Sequence, residues 1–209
     1  MIDVSIQNLK KSFKQGEPIL DGLSFACGIP GSVGGGVIMN AGAYGGELKD
    51  VVKDVDVLDS GGRMLTLSKE EMEFGYRTSR AKREGLVVLR TRFGLCQGDK
   101  EEIAEKMEEL LAARRLKQPL EYPSAGSTFK RPEGHFAGKL IMEAGLRGLS
   151  KGGAQVSEKH CGFVINKGGA SSADIMQVIK DVQKTVLENT GFLLECEVRI
   201  IPEREGEGT

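Results

Sequence analysis

An α+β fold is predicted by three observations. Strand-like alternation dominates the first half, two long helical stripes lie beyond residue 100, and the two kinds of segment never settle into regular βαβ repetition. Residues 1–21 read as a short helical lead-in. Val51 to Leu58 alternates, with Val55 and Val57 against Asp54 and Asp56; Ser60-Gly61-Gly62 breaks the run and Met64 to Leu67 resumes it, which predicts a β-hairpin. A polar segment holding Tyr76-Arg77-Thr78-Ser79 precedes a further strand, Leu86 to Phe93.

From Lys100 to Lys117 the period becomes helical, with Ile103, Met107, Leu110, Leu111 and Arg114 on one face and Pro119 just beyond the end. The domain boundary is expected at residues 95–103, so that this helix leads into the second lobe. Pro119 to Pro132 is turn-rich, Gly138 to Ala144 is a short helical pattern, and Cys161 to Asn166 reads as a buried strand. Ser171 or Ser172 then caps a helix striped by Ile175, Val178, Ile179, Val182 and Val186 and closed by Gly191. Phe192 to Ile201 is the expected final strand, and no internal repeat is present.

The chain has 209 residues, enough to bury a real core without disulfide staples. Its 29 basic and 30 acidic residues leave a net charge of −1, which argues against a nucleic-acid binder resting on bulk charge. No apolar run approaches the roughly 20 residues of a spanning helix, and Met1-Ile2-Asp3 opens no signal peptide. A soluble, cytoplasmic protein with no membrane partner is expected. Cys27, Cys96, Cys161 and Cys196 are scattered, form no C-x-x-C pair, and have only His135 and His160 beside them, so neither a zinc site nor a disulfide framework is expected.

The outlying number is 29 glycines, eight of them between Gly28 and Gly46 in GIPGSVGGGVIMNAGAYGG. Gly31, Gly34, Gly35 and Gly36, with Ser32 and Asn40, could present bare N–H groups to a phosphate or a flat heterocycle. The segment is neither a dinucleotide fingerprint nor a P-loop. Tight turns in a closely packed sheet explain the same residues, and both readings stand.

Four blocks carry a resemblance: Phe25 to Glu47 (FACGIPGSVGG-x-x-x-MNAGAYGGE), Tyr76 to Ser79, Tyr122 to Leu140 (YPSAGSTFKRPEGHFAGKL), and Glu195 to Ile201 (ECEVRII). In this order the chain, from about Gly22 to Pro202, resembles the UDP-N-acetylenolpyruvoylglucosamine reductase family, in its compact class. The resemblance implies the latter half of a vanillyl-alcohol-oxidase-type FAD-binding domain (1–98), then an α+β substrate-binding domain (99–202) and a polar tail (203–209). It implies FAD as cofactor, held by Gly31, Ser32, Gly34, Gly35, Asn40, Ala41 and Gly42, and NADPH as co-substrate. The implied reaction reduces UDP-N-acetylglucosamine enolpyruvate to UDP-N-acetylmuramate for peptidoglycan synthesis, and through it serves cell shape and division.

Hydride adds to the vinyl carbon β to the carboxylate, so negative charge develops on the carboxylate and α carbon, and the α carbon then needs a proton. The resemblance assigns Ser127 as proton donor, with Arg77 and Glu197 assisting at the carboxylate. Tyr76 would line the substrate groove, and Lys130, Arg131 and Lys139 would neutralise the UDP diphosphate. Read from the residues alone, Ser127 is a turn or cap serine, Arg77 a solvated loop arginine, and Glu197 a solvent-facing strand residue beside Glu195 and Arg199. The family's Gly-Gly-Ser-Asn loop, which grips the FAD diphosphate, has no counterpart here. The chain is therefore expected to begin inside the family's first domain, with the missing N-terminal flavin lobe as a partner. The alternative is a truncated, inactive fragment that binds UDP-sugar or is purely structural.

Overall fold

Val55 and Val57 are fully buried, and the carboxylates of Asp54 and Asp56 on the opposite side of the same strand reach arginines of the strand beside it, so the alternation read at 51–58 is realised. The structure, a computed structural model, describes residues 2–5 and 20–201. The chain divides into two units, Met1–Arg114 and Arg115–Thr209.

The first unit contains β1 (Ile2–Ser5), β2 (Leu20–Asp21), α1 (Val33–Met39), β3 (Gly42–Ala43), β4 (Gly46–Glu47), β5 (Val52–Leu58), β6 (Met64–Ser68), α2 (Arg80–Arg83) and β7 (Val87–Gln97). Its main sheet has the order β1-β7-β5-β6, with β2 also joined to β7. The hairpin register pairs Val55 with Leu67 and Val57 with Leu65. Cross-strand ion pairs lock its polar face: Arg92 Nε donates to Asp54 Oδ1 (2.6 Å), and Asp56 accepts from both Thr66 Oγ1 (2.7 Å) and Arg90 Nε (2.7 Å). The Thr66 hydroxyl first, and the Arg90 cation after it, hold the Asp56 carboxyl below the usual carboxylate range. The inner face packs with Val37, Met72 and Phe93 into one core.

The expected helical lead-in is corrected at Ile2–Ser5, which is a strand antiparallel to β7. An Ile-Asp-Val-Ser alternation beside an open sheet edge gains ladder bonds that a four-residue helix cannot make. Residues 6–19 of that expectation lie outside the described residues.

Helix α3 (Lys100–Lys117) has the bounds read from its periodicity, and Asp99 Oδ1 caps it by accepting from Glu101 N and Glu102 N. The unit boundary falls inside this helix, after Arg114, rather than before it. The reason is packing. Leu110 and Arg114 are buried, Arg114 Nη2 donates to Cys27 O (3.4 Å), and its guanidinium lies 5.6 Å from the Tyr44 ring centre.

In the second unit β8 (Ser124–Ser127), β9 (Ser150–Lys151), β10 (Ala154–Val156) and β11 (Phe163–Asn166) form a sheet of order β8-β11-β10-β9. Helices α4 (Ala137–Glu143) and α5 (Ser172–Thr190) share its core through Leu140, Ile141, Val178, Val182 and Val186. Ser171 caps α5 in a reciprocal box with Asp174, and Gly191 closes it at φ 76°.

Two expectations fail here. The Ser124–Ser127 stretch, read as turn, is a strand paired to β11. Phe192 to Ile201, read as a strand, makes one bridge, Phe129 with Cys196, through Lys130 N to Glu195 O and Glu197 N to Thr128 O. Its alternation holds around Leu194, buried between exposed Leu193 and Glu195, and lapses by the exposed Ile200; alternation reports burial, and the backbone facing the segment decides pairing.

Candidate functional site

In the first unit the glycine-rich segment runs through α1 into the β3–β4 hairpin. Ser32 caps α1 by accepting from Gly35 N (3.1 Å). Its glycines divide by physical cause. A Cβ at Gly42 would stand 2.8 Å from Gly46 O, and one at Gly46 2.6 Å from the Phe25 ring, so these two exist for close packing. Gly31 has φ 151° with open space around it, and a Cβ at Gly34 would make only ordinary contact with Val88, 3.7 Å away. A helical glycine without a packing cause costs up to about 1 kcal/mol relative to alanine. Gly31 and the half-buried Gly34 thus have no packing cause of this kind, while Ser32 and Gly35 are engaged with each other in the α1 cap.

Asn40 is committed inward, and Ala41 and Gly42 are half-buried beside it. Asn40 is fully buried in a left-handed conformation (φ 45°), donates through Nδ2 to Glu47 Oε2 (2.9 Å) and Gly75 O (3.1 Å), and accepts from Lys49 N (2.9 Å). Ala41 donates to Gly36 O and accepts from Leu48 N, and Gly42 pairs with Glu47 across the hairpin. Asn40 and Ala41 thus spend these polar groups within the unit.

Tyr76 and Arg77 form the tip of a tight turn closed by Gly75 N to Thr78 O (3.0 Å) and Thr78 N to Gly75 O (3.3 Å). Arg77 has φ 54°, where glycine or asparagine is the ordinary occupant. Its guanidinium lies 5.0 Å from the half-exposed Tyr76 ring centre and Nη2 is 3.5 Å from Gly42 O, a long contact onto the glycine-rich hairpin. Lys82 Nζ donates to Arg77 O (2.9 Å), and the buried Ser79 caps α2 while donating to Ile38 O (2.8 Å). The structure thus brings Tyr76, Arg77 and the glycine-rich segment together.

In the second unit Ser127 ends β8, exposed and opposite Phe163. Glu197 lies on the neighbouring extended segment, its N–H donating to Thr128 O (2.9 Å), so these two candidates occupy adjoining backbone. Lys130 Nζ pairs with Glu195 Oε2 (2.6 Å), and that bond holds the Glu195 carboxyl below its ordinary range. Arg131 stands 4.4 Å from the Phe136 ring centre, and Lys139 faces Glu143 (3.7 Å) one helical turn on. Among the described residues no group of three or more acidic, His or Cys side chains is placed to hold a metal ion.

Asn40, Glu47, Ser79 and Lys82 act together around Arg77, and of these the sequence pattern singles out Asn40 alone, for another role. An asparagine after a helical run signals a left-handed cap, but its bond to Gly75 spans 35 residues and leaves no local trace.

Residues 118–201 match the family described as UDP-N-acetylenolpyruvoylglucosamine reductase, C-terminal domain, and residues 6–68 match the FAD binding domain family. The reductase of Agathobacter rectalis is 60% identical over 190 residues, covering 91% of this chain and 60% of that protein. The chain belongs to the UDP-N-acetylenolpyruvoylglucosamine reductase family. The Lachnoclostridium phytofermentans reductase is 59% identical over 185 residues, 88% of this chain and 60% of its own length. Among solved structures, UDP-N-acetylenolpyruvylglucosamine reductase from Thermus caldophilus aligns with a TM-score of 0.77 and 40% identity, over 88% of this chain and 65% of that one. The chain thus spans about 60% of the length of the curated relatives it matches. Its α+β architecture and its FAD-binding family segment agree with this membership. No described helix is long and apolar enough to cross a membrane.

Proposed function

We propose that the chain works in the NADPH-dependent, FAD-mediated reduction of UDP-N-acetylglucosamine enolpyruvate to UDP-N-acetylmuramate, in the cytoplasm, for peptidoglycan synthesis. The observation that carries this reading, beside family membership, is the Arg77 guanidinium held in a left-handed turn against the glycine-rich hairpin. A permanently charged planar fork fixed in advance suits a carboxylate that gains charge during reaction.

Gly31, Ser32, Gly34 and Gly35 would hold FAD, with Asn40, Ala41 and Gly42 fixing the backbone beneath. FAD, when bound, supplies the hydride that NADPH has given it to the vinyl carbon. Arg77 balances the charge on the substrate carboxylate, and Tyr76 lines the groove beside it. Ser127 Oγ gives its proton to the α carbon, and Glu197 assists at the carboxylate. Lys130, Arg131 and Lys139 face the diphosphate of the sugar nucleotide, with Lys130 exchanging Glu195 for it.

The test begins with FAD added to the purified chain, followed by flavin absorbance and fluorescence, then by NADPH and the enolpyruvyl sugar. Ser127→Ala should leave bleaching of the flavin by NADPH intact and lower turnover about 10²- to 10⁴-fold, the range for a lost general acid. Full turnover in that variant overturns the proton-donor assignment. A chain that takes up UDP-sugar but no FAD supports the alternative of an inactive sugar-nucleotide-binding fragment.

A further inference from the structure

The described non-glycine residues with left-handed backbone are Asn40, Tyr44, Glu73 and Arg77, and three of them, Asn40, Tyr44 and Arg77, belong to one local assembly. Such backbone persists where surrounding bonds over-determine it. Asn40 stands at the centre. It ends α1, and its one buried amide bonds to both the β3–β4 hairpin with the helical turn that follows it, through Glu47 and Lys49, and the Gly75–Thr78 turn. Glu47 Oε2 is shared with Lys49 Nζ (2.7 Å), and the Glu47 carboxylate also caps the short helical turn that follows it. On the downstream side Ser79 and Lys82 fasten the same turn to Ile38 O and Arg77 O.

We propose that Asn40 is a positioning residue for Arg77: its amide joins the turn that carries Arg77 to the hairpin that the guanidinium faces, so that the cation is fixed before an anionic group arrives. The identity of that group as the substrate carboxylate rests on the function proposed above. A helix C-cap alone does not explain Asn40. The cap needs only a residue that accepts a positive φ, which glycine does better, whereas the three side-chain bonds serve two other segments.

Asn40→Gly separates the roles, because it keeps the left-handed cap and deletes the amide. The full chain, labelled for NMR, is read by amide exchange and by the Arg77 Nε–Hε resonance. The expected result is exchange at Gly75 and Thr78 faster by about tenfold, the scale of one lost hydrogen bond, and a less ordered Arg77 Nε–Hε signal, with β5 amides unchanged. An unchanged turn and an unchanged Arg77 signal overturn the proposal.

Should Asn40→Gly fail to fold, the unaltered chain decides between the two outcomes. Asn40 Nδ2 protons that are slow to exchange and close to Gly75 and Thr78 support the clamp, and freely exchanging ones overturn it. Failure of the functional reading looks different. An Arg77→Ala variant with full turnover in FAD-loaded protein removes the substrate assignment, while a loosened turn in Asn40→Gly still supports the positioning role.

Discussion

Arg77 sits in a turn fastened through Asn40, Ser79 and Lys82, whereas Ser127 ends an exposed strand whose fixed points are backbone bonds to β11 and to the segment carrying Glu197. The difference matches the chemistry proposed for each candidate. A cation meant to stabilise developing charge gains from being aimed beforehand, since reorientation during the reaction would return part of the stabilisation. A serine hydroxyl needs only reach and a free rotor to deliver a proton. The strain is therefore stored on the Arg77 side, in left-handed residues, and the Ser127 side has ordinary extended backbone apart from Gly126 (φ 82°).

The contrast breaks most sharply at Gly42, under the Arg77 guanidinium. A Cβ there meets Gly46 O at 2.8 Å and Glu47 Cγ at 2.7 Å, and the carbonyl belongs to the hairpin's own backbone. Gly42→Ala should cost about 1–3 kcal/mol, the usual range for overpacking, by urea denaturation, and should disturb the Arg77 side-chain resonance. On the other side, a Cβ at Gly126 has no atom within 4 Å, so alanine there is felt only through its φ. Equal effects on the Arg77 signal from both variants would end the distinction.

Two serines sharpen it. Ser79 is fully buried, caps α2 and donates to Ile38 O, so Ser79→Ala should lose about 1–2 kcal/mol of stability, a cap and a buried acceptor together. Ser127→Ala, at an exposed position, should stay within about 0.5 kcal/mol of the parent. Thermal or chemical denaturation of the pair checks this, and a Ser127→Ala loss as large as that of Ser79→Ala would show that Ser127 holds structure.

The regular elements were legible because their patterns are local. The α3 bounds, the Ser171–Gly191 caps of α5 and the β5–β6 hairpin follow from period, cap chemistry and a Ser-Gly-Gly break. What escaped depends on partners remote in sequence. Ile2–Ser5 became a strand because β7 lay open beside it, Ser124–Ser127 because β11 did, and Phe192–Ile201 remained mostly unpaired, its described backbone ladder bonds running to Thr128 and Lys130. The glycine-rich segment carried two readings, and both hold in part: Gly42 and Gly46 answer to packing, Gly31 and Gly34 do not. Arg77 was legible as a residue, but the left-handed turn that aims it was not.

The smallest effect compares how the two units respond to acid. In the second unit His160 is partly buried, its Nδ1 accepts from Gly162 N (3.1 Å), and loss of water around the ring pushes its pKa below the imidazole value of about 6.5. The unfolded chain takes up that proton first as pH falls. The stabilisation is therefore complete above about pH 6.5 and is lost as pH drops from there through the folded value. In the first unit Asp56 is also shifted downward, by Thr66 and then Arg90, so its contribution is complete above the ordinary carboxylate value of about 3.9 and is lost only below it. Between pH 7 and 5 the β10–β11 amides should lose exchange protection while β5–β7 amides keep theirs, and His160→Gln should flatten the first trend. Parallel loss in both units over that range would mean that acid acts on the two alike, and the assignment of the difference to His160 and Asp56 would fall.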